Sequence, residues 1–391
     1  ENKMISDMKI SDSIVYVGAN DKTIDLFESQ YPVPNGVSYN SYVILDEKVA
    51  VMDTVDPRAT EEWFANLERV LAGRHVDYLV VSHMEPDHAG NVQKFAEKYP
   101  EAKIVGNAKT FGMMAQFFDF DLSDRKVEVK EGGTLELGSH TLQFFMAPMV
   151  HWPEVMVAYE QSEKILFSAD GFGKFGATDV DEEWDDEAGR YFLNIVGKYG
   201  VQVQALLKKA SGLDIRMICP LHGPILKENL GHYLGLYQTW SSYEPEKKGV
   251  LVAFASIHGN TAKASQLMAE YLRENGEADV TVMDLSRTDV SYAVRKAFYY
   301  DRIVLAGATY DGGVFPCMEE FLLHLKSKNY QKRTVGIIEN GTWAPLAGKV
   351  MKGILETMKN ITIAEPMVTI RSTVKEDTKE QMKELAKVLT A

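Results

Sequence analysis

The stretch Val80-Val81-Ser82-His83-Met84-Glu85-Pro86-Asp87-His88-Ala89-Gly90 runs from an apolar strand straight into His-x-Glu-x-Asp-His, with four metal-capable side chains within six residues. A strand end that opens into a turn at Pro86 points alternate residues at one spot. His83 and Glu85 then share a face, while Asp87 and His88 turn to a neighbouring one, an arrangement that serves two metals with one pair each. Leaving a buried Glu and Asp without partners would be costly, which argues against a chance cluster. Three further candidates sit at the ends of apolar runs: His151 in Val150-His151-Trp152-Pro153, Asp170 in Phe167-Ser168-Ala169-Asp170-Gly171, and His222 in Cys219-Pro220-Leu221-His222. A carboxylate offers two oxygens and can bridge two cations held close together, the role expected of Asp170. Four imidazoles and three carboxylates with no thiolate suit iron, manganese or zinc. Cys219 reads as a small buried hydrophobe.

Around this stretch, short strand-like runs arrive in groups: 41–45 with 49–52, then 141–145 with 155–159 and 165–167. Helical patterns separate them at 59–72, 91–98, 108–117, 187–210 and 225–243, so two groups of strands carry helices on the outside, an αββα sandwich. A charged Pro- and Gly-containing stretch, 243–249, separates this region from a different rhythm. Beyond it, five apolar strands (249–255, 280–283, 302–307, 334–338, 367–370) alternate with five helices (261–274, 290–299, 316–326, 345–359, 375–389). Strands as apolar as Ile303-Val304-Leu305-Ala306 read as buried on both faces, hence a parallel doubly wound sheet. With 391 residues, two or three domains are expected, divided as 1–245 and 246–391.

Composition narrows the function classes. Forty-two Lys plus Arg stand against 56 Asp plus Glu, a formal charge of -14, which disfavours a nucleic-acid partner. Apolar runs near the length of a membrane span are absent, so no membrane partner is expected. Residues 1–7 lack the basic and apolar regions of a signal peptide. Two cysteines, Cys219 and Cys317, are too few for a disulfide framework and form no Cys-x-x-Cys pair. A cytoplasmic enzyme is expected, without repeats or low-complexity tracts.

The second region carries its own chemistry. Ser256-Ile257-His258-Gly259-Asn260-Thr261 delivers hydroxyls and a glycine from a buried strand to a helix N-terminus, anion-binding geometry that is neither a dinucleotide fingerprint nor a P-loop. Thr309-Tyr310-Asp311-Gly312-Gly313 and Asn340-Gly341-Thr342-Trp343 follow the carboxyl ends of neighbouring strands, where open α/β sheets bind ligands. They bring Tyr310 and Trp343 within reach of a flat heterocycle.

His83-x-Glu85-x-Asp87-His88 followed by His151, Asp170 and His222 resembles the metallo-β-lactamase-like domain of flavodiiron proteins, and the three later loops resemble flavodoxin, with His258 where flavodoxins usually carry Thr. Glu85 stands where hydrolytic zinc members have a second His, which the resemblance associates with a redox diiron branch. It implies that His83, Glu85 and His151 hold one iron, Asp87, His88 and His222 the other, and that Asp170 is shared. FMN is then expected on the three loops, with dioxygen reduced to water or nitric oxide to nitrous oxide. Electrons are expected from a rubredoxin-like or other soluble donor. A head-to-tail homodimer is expected, the FMN of one chain serving the diiron centre of the other. Trp152, Phe27-Glu28 and Tyr191-Phe192 are candidate pocket walls. Several relatives carry His at the position of Glu28 and Tyr at that of Phe192, so this chain is expected to lack two proton donors. A zinc-dependent hydrolase with a flavodoxin-like appendage is the alternative, but it has no use for three flavin-contacting loops.

Overall fold

A computed structural model describes residues 8–391; the stretch 1–7, read above for a signal peptide, lies outside them. The chain forms two compact units, the first containing the described residues through Tyr191 together with Val201–Tyr237, the second Phe192–Gly200 with Gln238–Ala391.

The first unit is a sandwich of two sheets. One has the order Ile14–Tyr16, Tyr42–Leu45, Val49–Met52, Tyr78–Val80, Lys103–Gly106, Lys126–Glu128. Its first three strands pair antiparallel and the rest parallel. The other runs Thr134–Glu136, Thr141–Met146, Met156–Glu160, Ile165–Phe167, Met217–Cys219, antiparallel except for its last pair. Period-2 alternation aims one face of each sheet at a shared core: Tyr42, Ile44, Ala50, Met52 and Val80 from the first meet Leu142, Phe144, Met156, Ala158 and Phe167 from the second. Cys219 packs in this core as an apolar side chain. The helix Thr60–Leu71 buries Trp63, Leu67 and Leu71, an i, i+4, i+8 stripe.

The expected helix 187–210 is not continuous. It is helical at Trp184–Tyr191 and Gly200–Ala210, with a π-turn at Phe192–Val196 and a 3-10 turn at Gly197–Tyr199 between. The expected helix 225–243 shortens to Leu230–Ser241.

The second unit is a doubly wound sheet in the order Val280–Asp284, Lys247–Ala255, Tyr300–Tyr310, Arg333–Asn340, all parallel. Its fifth strand is split into Ile361–Ile363 and Val368–Ile370, each pairing with Arg333–Asn340. Pro366 lies in the gap and has no N–H to give a ladder. The strand Tyr300–Tyr310 turns back through Asp311 (φ 50°) and Gly312 (φ 70°) onto Gly313–Val314, the doubly left-handed pair of a tight hairpin turn.

A polar knot in the first unit leads toward the metal-capable residues. Asp21 accepts hydrogen bonds from Tyr39 Oη at 2.7 Å, Arg58 Nε at 2.6 Å and Thr23 N at 3.1 Å. It thereby fixes the strand pair Ala19–Asp21 and Val37–Tyr39, on which Ser38 sits. Burial pushes its carboxyl up, yet the bonds from Arg58, Tyr39 and Thr23 prevail and hold it at about 2. The stabilisation is therefore present above the ordinary value of 3.8 and lost as pH falls through about 2. Asp21→Asn should lower stability by about 2 kcal/mol at pH 7, and the gap from the parent should close between about pH 4 and pH 2 in urea titrations. A gap that stays constant down to pH 2 would contradict this account.

Candidate metal centre and flavin site

Strand ends of both sheets converge on the seven candidate ligands. His83 follows Tyr78–Val80, and Pro86 opens the single helical turn Pro86–Ala89 that carries Asp87 and His88. His151 lies between Thr141–Met146 and Met156–Glu160, Asp170 follows Ile165–Phe167, and His222 follows Met217–Cys219.

Two groups form. His83, Glu85, His151 and Asp170 make one, and Asp87, His88 and His222 the other. In the first, Glu85 Oε2 is 3.3 Å from His83 Nε2 and 3.0 Å from His151 Nε2, and Asp170 Oδ2 is 3.2 and 3.3 Å from the same nitrogens. In the second, Asp87 Oδ2 is 3.3 Å from His88 Nε2 and 3.2 Å from His222 Nε2, with Asp170 Oδ1 at 3.0 and 3.6 Å. Asp170 thus gives one oxygen to each group. Metal–ligand bonds of about 2.1 Å place neighbouring ligand atoms about 3.0 to 3.4 Å apart in octahedral or tetrahedral shells, so these spacings fit ions at both positions.

The hydrogen-bond pattern tests that fit. Both oxygens of Asp87, Nε2 of His88, Nε2 of His222 and Oδ1 of Asp170 are buried and make no hydrogen bond. They approach one another closely but without hydrogen-bond alignment, as atoms aimed at a common ion do. Burial would depress the imidazoles, but Asp87 and Asp170 raise His88 to about 9, and Asp170 and Glu85 raise His151 to about 9. Positive charge is strongly favoured here, whether on a proton or on a metal ion.

Backbone and side-chain acceptors aim the imidazoles. Glu154 Oε2 is 3.0 Å from His83 Nδ1 and accepts Met84 N–H at 2.8 Å. His222 Nδ1 is 2.7 Å from the Ser38 carbonyl. Each partner leaves Nε2 directed at the metal position.

In the second unit, the three loops lie at the carboxyl ends of adjacent strands. Gly259 (φ 97°) caps the helix Asn260–Glu274 and donates its N–H to Ser256 Oγ at 3.1 Å. A Cβ at Gly259 would meet nothing within 4 Å, so there is open space before the helix N-terminus. Ile257 and His258 are exposed beside it, and Thr261 is buried. Tyr310 is 46% and Trp343 81% exposed, leaving both rings free to stack on a planar ligand. Asp311 and Gly312 are exposed at the hairpin tip, with Gly313 half-buried. Three polar residues brace the loops: Asn340 donates to Thr261 Oγ1 at 3.3 Å and accepts Ser372 N–H at 2.9 Å, Thr342 Oγ1 is 2.9 Å from Ser372 Oγ, and Thr309 Oγ1 accepts Leu346 N–H at 3.0 Å. Gly341 passes so close to Pro345 Cα that a Cβ would stand 2.7 Å from it.

Residues 37–223 match the family described as ODP family beta lactamase, and residues 251–387 the flavodoxin domain. The nitric oxide reductase of Moorella thermoacetica is 29% identical over 94% of both chains. The solved rubredoxin oxygen:oxidoreductase of Desulfovibrio gigas superposes with a TM-score of 0.91 at 26% identity, covering 98% of this chain and 97% of that one. The flavodiiron protein of Giardia intestinalis shares the fold, with a TM-score of 0.90 at 23% identity over 98% and 95%. The chain belongs to the flavodiiron family.

Within this flavodiiron protein, one expectation about the pocket wall is corrected. Tyr191, not Phe192, faces the metal position: its ring lies 5.6 Å from that of His222, and burial followed by the charge of Asp170 holds its hydroxyl protonated. Phe192 packs on Trp240 at 5.5 Å. Phe27 stands edge-on to His222 at 5.3 Å. Glu28 (φ 52°) presents its carboxyl to Glu85. The Glu28 side chain is exposed, and packed protein around the carboxyl followed by the charge of Glu85 pushes it up to about 8. A proton-bearing phenol is thus supplied beside His222 by Tyr191, one position before Phe192. Trp152 stands edge-on to His83 at 5.1 Å and stacks on Phe117 at 6.5 Å.

Glu154 and Ser38 escaped the sequence reading as metal-centre residues. For Glu154, the spacing His151-x-x-Glu154 was the available signal. Glu154→Gln keeps the shape but removes the charge behind His83, and should weaken metal retention about 10- to 100-fold while leaving flavin content unchanged. Metal analysis after graded chelation measures this, and parental retention would show that Glu154 does not support the site.

Proposed function

We propose that this flavodiiron protein is an oxidoreductase that passes electrons from FMN to a non-haem diiron centre, where dioxygen is reduced to water or nitric oxide to nitrous oxide. The observation that carries this reading is Asp170, with one oxygen toward each of two ion-sized ligand groups in a chain that also bears flavodoxin-like loops. FMN would accept electrons singly or in pairs, and two irons would store more and pass them to the small oxidant.

His83, Glu85 and His151 would hold one iron, Asp87, His88 and His222 the other, and Asp170 both. Glu154 and the Ser38 carbonyl hold the tautomers of His83 and His222. Tyr191 Oη keeps a proton beside the pocket, and the reduction of either oxidant consumes protons. Phe27 and Trp152 line it with apolar surface, which keeps bulk water from the reacting atoms. Ser256, His258, Gly259, Asn260 and Thr261 would take the FMN phosphate, Tyr310 and Trp343 the two faces of its ring. Backbone groups of Thr309, Asp311, Gly312, Gly313, Asn340, Gly341 and Thr342 would meet its polar edge. Zinc hydrolysis is not favoured, because it leaves the flavodoxin-like half without a task.

The division of labour at 245/246, with the diiron centre before it and FMN after it, is part of this proposal. So is a rubredoxin-like or other soluble donor, rubredoxin being part of the name of the Desulfovibrio gigas enzyme. A head-to-tail homodimer is supported by exposed aromatic surface on each unit, Phe117 on the first and Tyr310 and Trp343 on the second, which a second copy can cover. Among the described residues no helix is long and apolar enough to cross a membrane.

Purified protein should be yellow from FMN and hold one iron for each of the two ligand groups. Asp170→Ala should strip both irons, whereas Trp152→Ala should leave them. Stoichiometric zinc without flavin would refute the redox assignment, and a full iron complement in the Asp170 variant would refute the shared role of Asp170. Transfer between chains is tested by mixing Asp170→Ala chains with chains carrying Tyr310→Ala and Trp343→Ala under conditions of subunit exchange. Recovered reductase activity in the mixture is expected, and a fully active monomer would count against the dimer.

A further inference from the structure

The segment that carries His222 is clamped by a side chain outside both ligand groups. Asn40 lies in the gap between the strands Val37–Tyr39 and Tyr42–Leu45 and is fully buried. Its Nδ2 donates to the carbonyls of Pro220 and Gly223, both at 2.8 Å, so one amide brackets His222 from either side. Its backbone N–H donates to the Leu221 carbonyl at 2.9 Å. Carbonyls only accept, so the amide nitrogen must face them and Oδ1 must turn the other way. There it takes the Tyr16 hydroxyl at 2.8 Å. Burial pushes the Tyr16 phenol up, which keeps it protonated and able to donate.

Residues 220–223 belong to no helix or strand, so no ladder of their own holds their shape. The support comes from across the sandwich. Tyr16 and Tyr42 are cross-strand partners with their rings edge to face at 5.7 Å, and Tyr42 Oη gives the Pro220 carbonyl its other hydrogen bond at 2.6 Å. Ser38 Oγ accepts the Gly223 N–H at 2.8 Å. A metal ligand has to be held within about 0.5 Å of its place, and the backbone on both sides of His222 owes its position to the Asn40 amide. The group of His83, Glu85 and His151 has separate support in Glu154. Asp170 is also independent of Asn40: the Leu221 N–H reaches the carbonyl of the preceding Ala169 at 2.8 Å.

We propose that Asn40, oriented by Tyr16, is a positioning residue for one ion of the pair, the one assigned to Asp87, His88 and His222. The inference rests on the two-ion reading of the site. It makes the hold on that ion depend on a hydrogen-bonded pair that touches neither metal position, while the other ion is held without it.

The test is graded EDTA chelation of the metal-loaded holoprotein, with ions and FMN counted per chain. Asn40→Leu keeps the shape of the side chain and removes both donors. One ion should then leave at a chelator concentration at least about tenfold lower than in the parent, with the other ion and FMN retained as in the parent. Tyr16→Phe removes only the hydroxyl that orients the amide, and should shift the same ion by about two- to tenfold, the range of one hydrogen bond. It decides the matter if Asn40→Leu fails to fold. In a His222→Ala background neither change should loosen the remaining ion further, because the interaction acts through His222; a general loss of stability would loosen it in either background. Parental retention of both ions, equal loosening of both, or further loosening in the His222→Ala background would each overturn the assignment. Zinc in place of iron in the parent would refute the redox reading and leave this test legible, since it compares two positions and not two metals.

Discussion

One buried carboxylate, with an oxygen toward each of two imidazole groups, sets the demands that the first unit meets. Asp170 is 1% exposed, and an ionised carboxylate at that depth carries a desolvation penalty of several kcal/mol unless positive charge surrounds it. The surrounding charge has to come from both sheets: His83 and His88 follow a strand of one, His151 and His222 follow strands of the other. Sandwich closure and site formation are therefore one requirement. A one-residue slip of Ile165–Phe167 would turn its core face outward and displace Asp170 from between the groups.

The parallel sheet was the more legible half because its strands are long, apolar and spaced by amphipathic helices. The boundaries of Val290–Tyr299 and of Ala108–Phe117 coincide with those read from the pattern. The helix expected over 187–210 failed for a reason that periodicity cannot carry. Gly200 lies where a Cβ would stand 2.4 Å from the Ser241 carbonyl and 2.7 Å from Tyr243 Oη, a close approach between segments distant in sequence. The two- and three-residue strands before residue 40, Ala19–Asp21 and Val37–Tyr39 among them, are too short for alternation to register, yet they position the Ser38 carbonyl.

At the metal centre the ligands were legible because their chemistry is local: six residues carry four of them, and the other three end apolar runs. Their supports were not. A backbone carbonyl such as that of Ser38 has no signature in sequence, and Glu154 lies 71 residues from the histidine it holds. Tyr191 and Phe192 differ by one helical step of about 100°, so an error of one position exchanges a phenol facing His222 for a ring packed on Trp240. Contact with the site, and not aromatic character, distinguishes them.

These supports also make the two metal positions inequivalent. His83 is backed by a carboxylate, His222 by a neutral carbonyl, and Nδ1 of His88 has no hydrogen-bond partner. A carboxylate behind an imidazole raises its basicity more than a carbonyl does. The group of His83, Glu85 and His151 thus presents the stronger donors and the more negative field, with the carboxyl of Glu28 beside Glu85. An ion there would be stabilised at higher charge than one held by Asp87, His88 and His222. Asp170, common to both, transmits a change of charge at either position to the other through a single carboxylate.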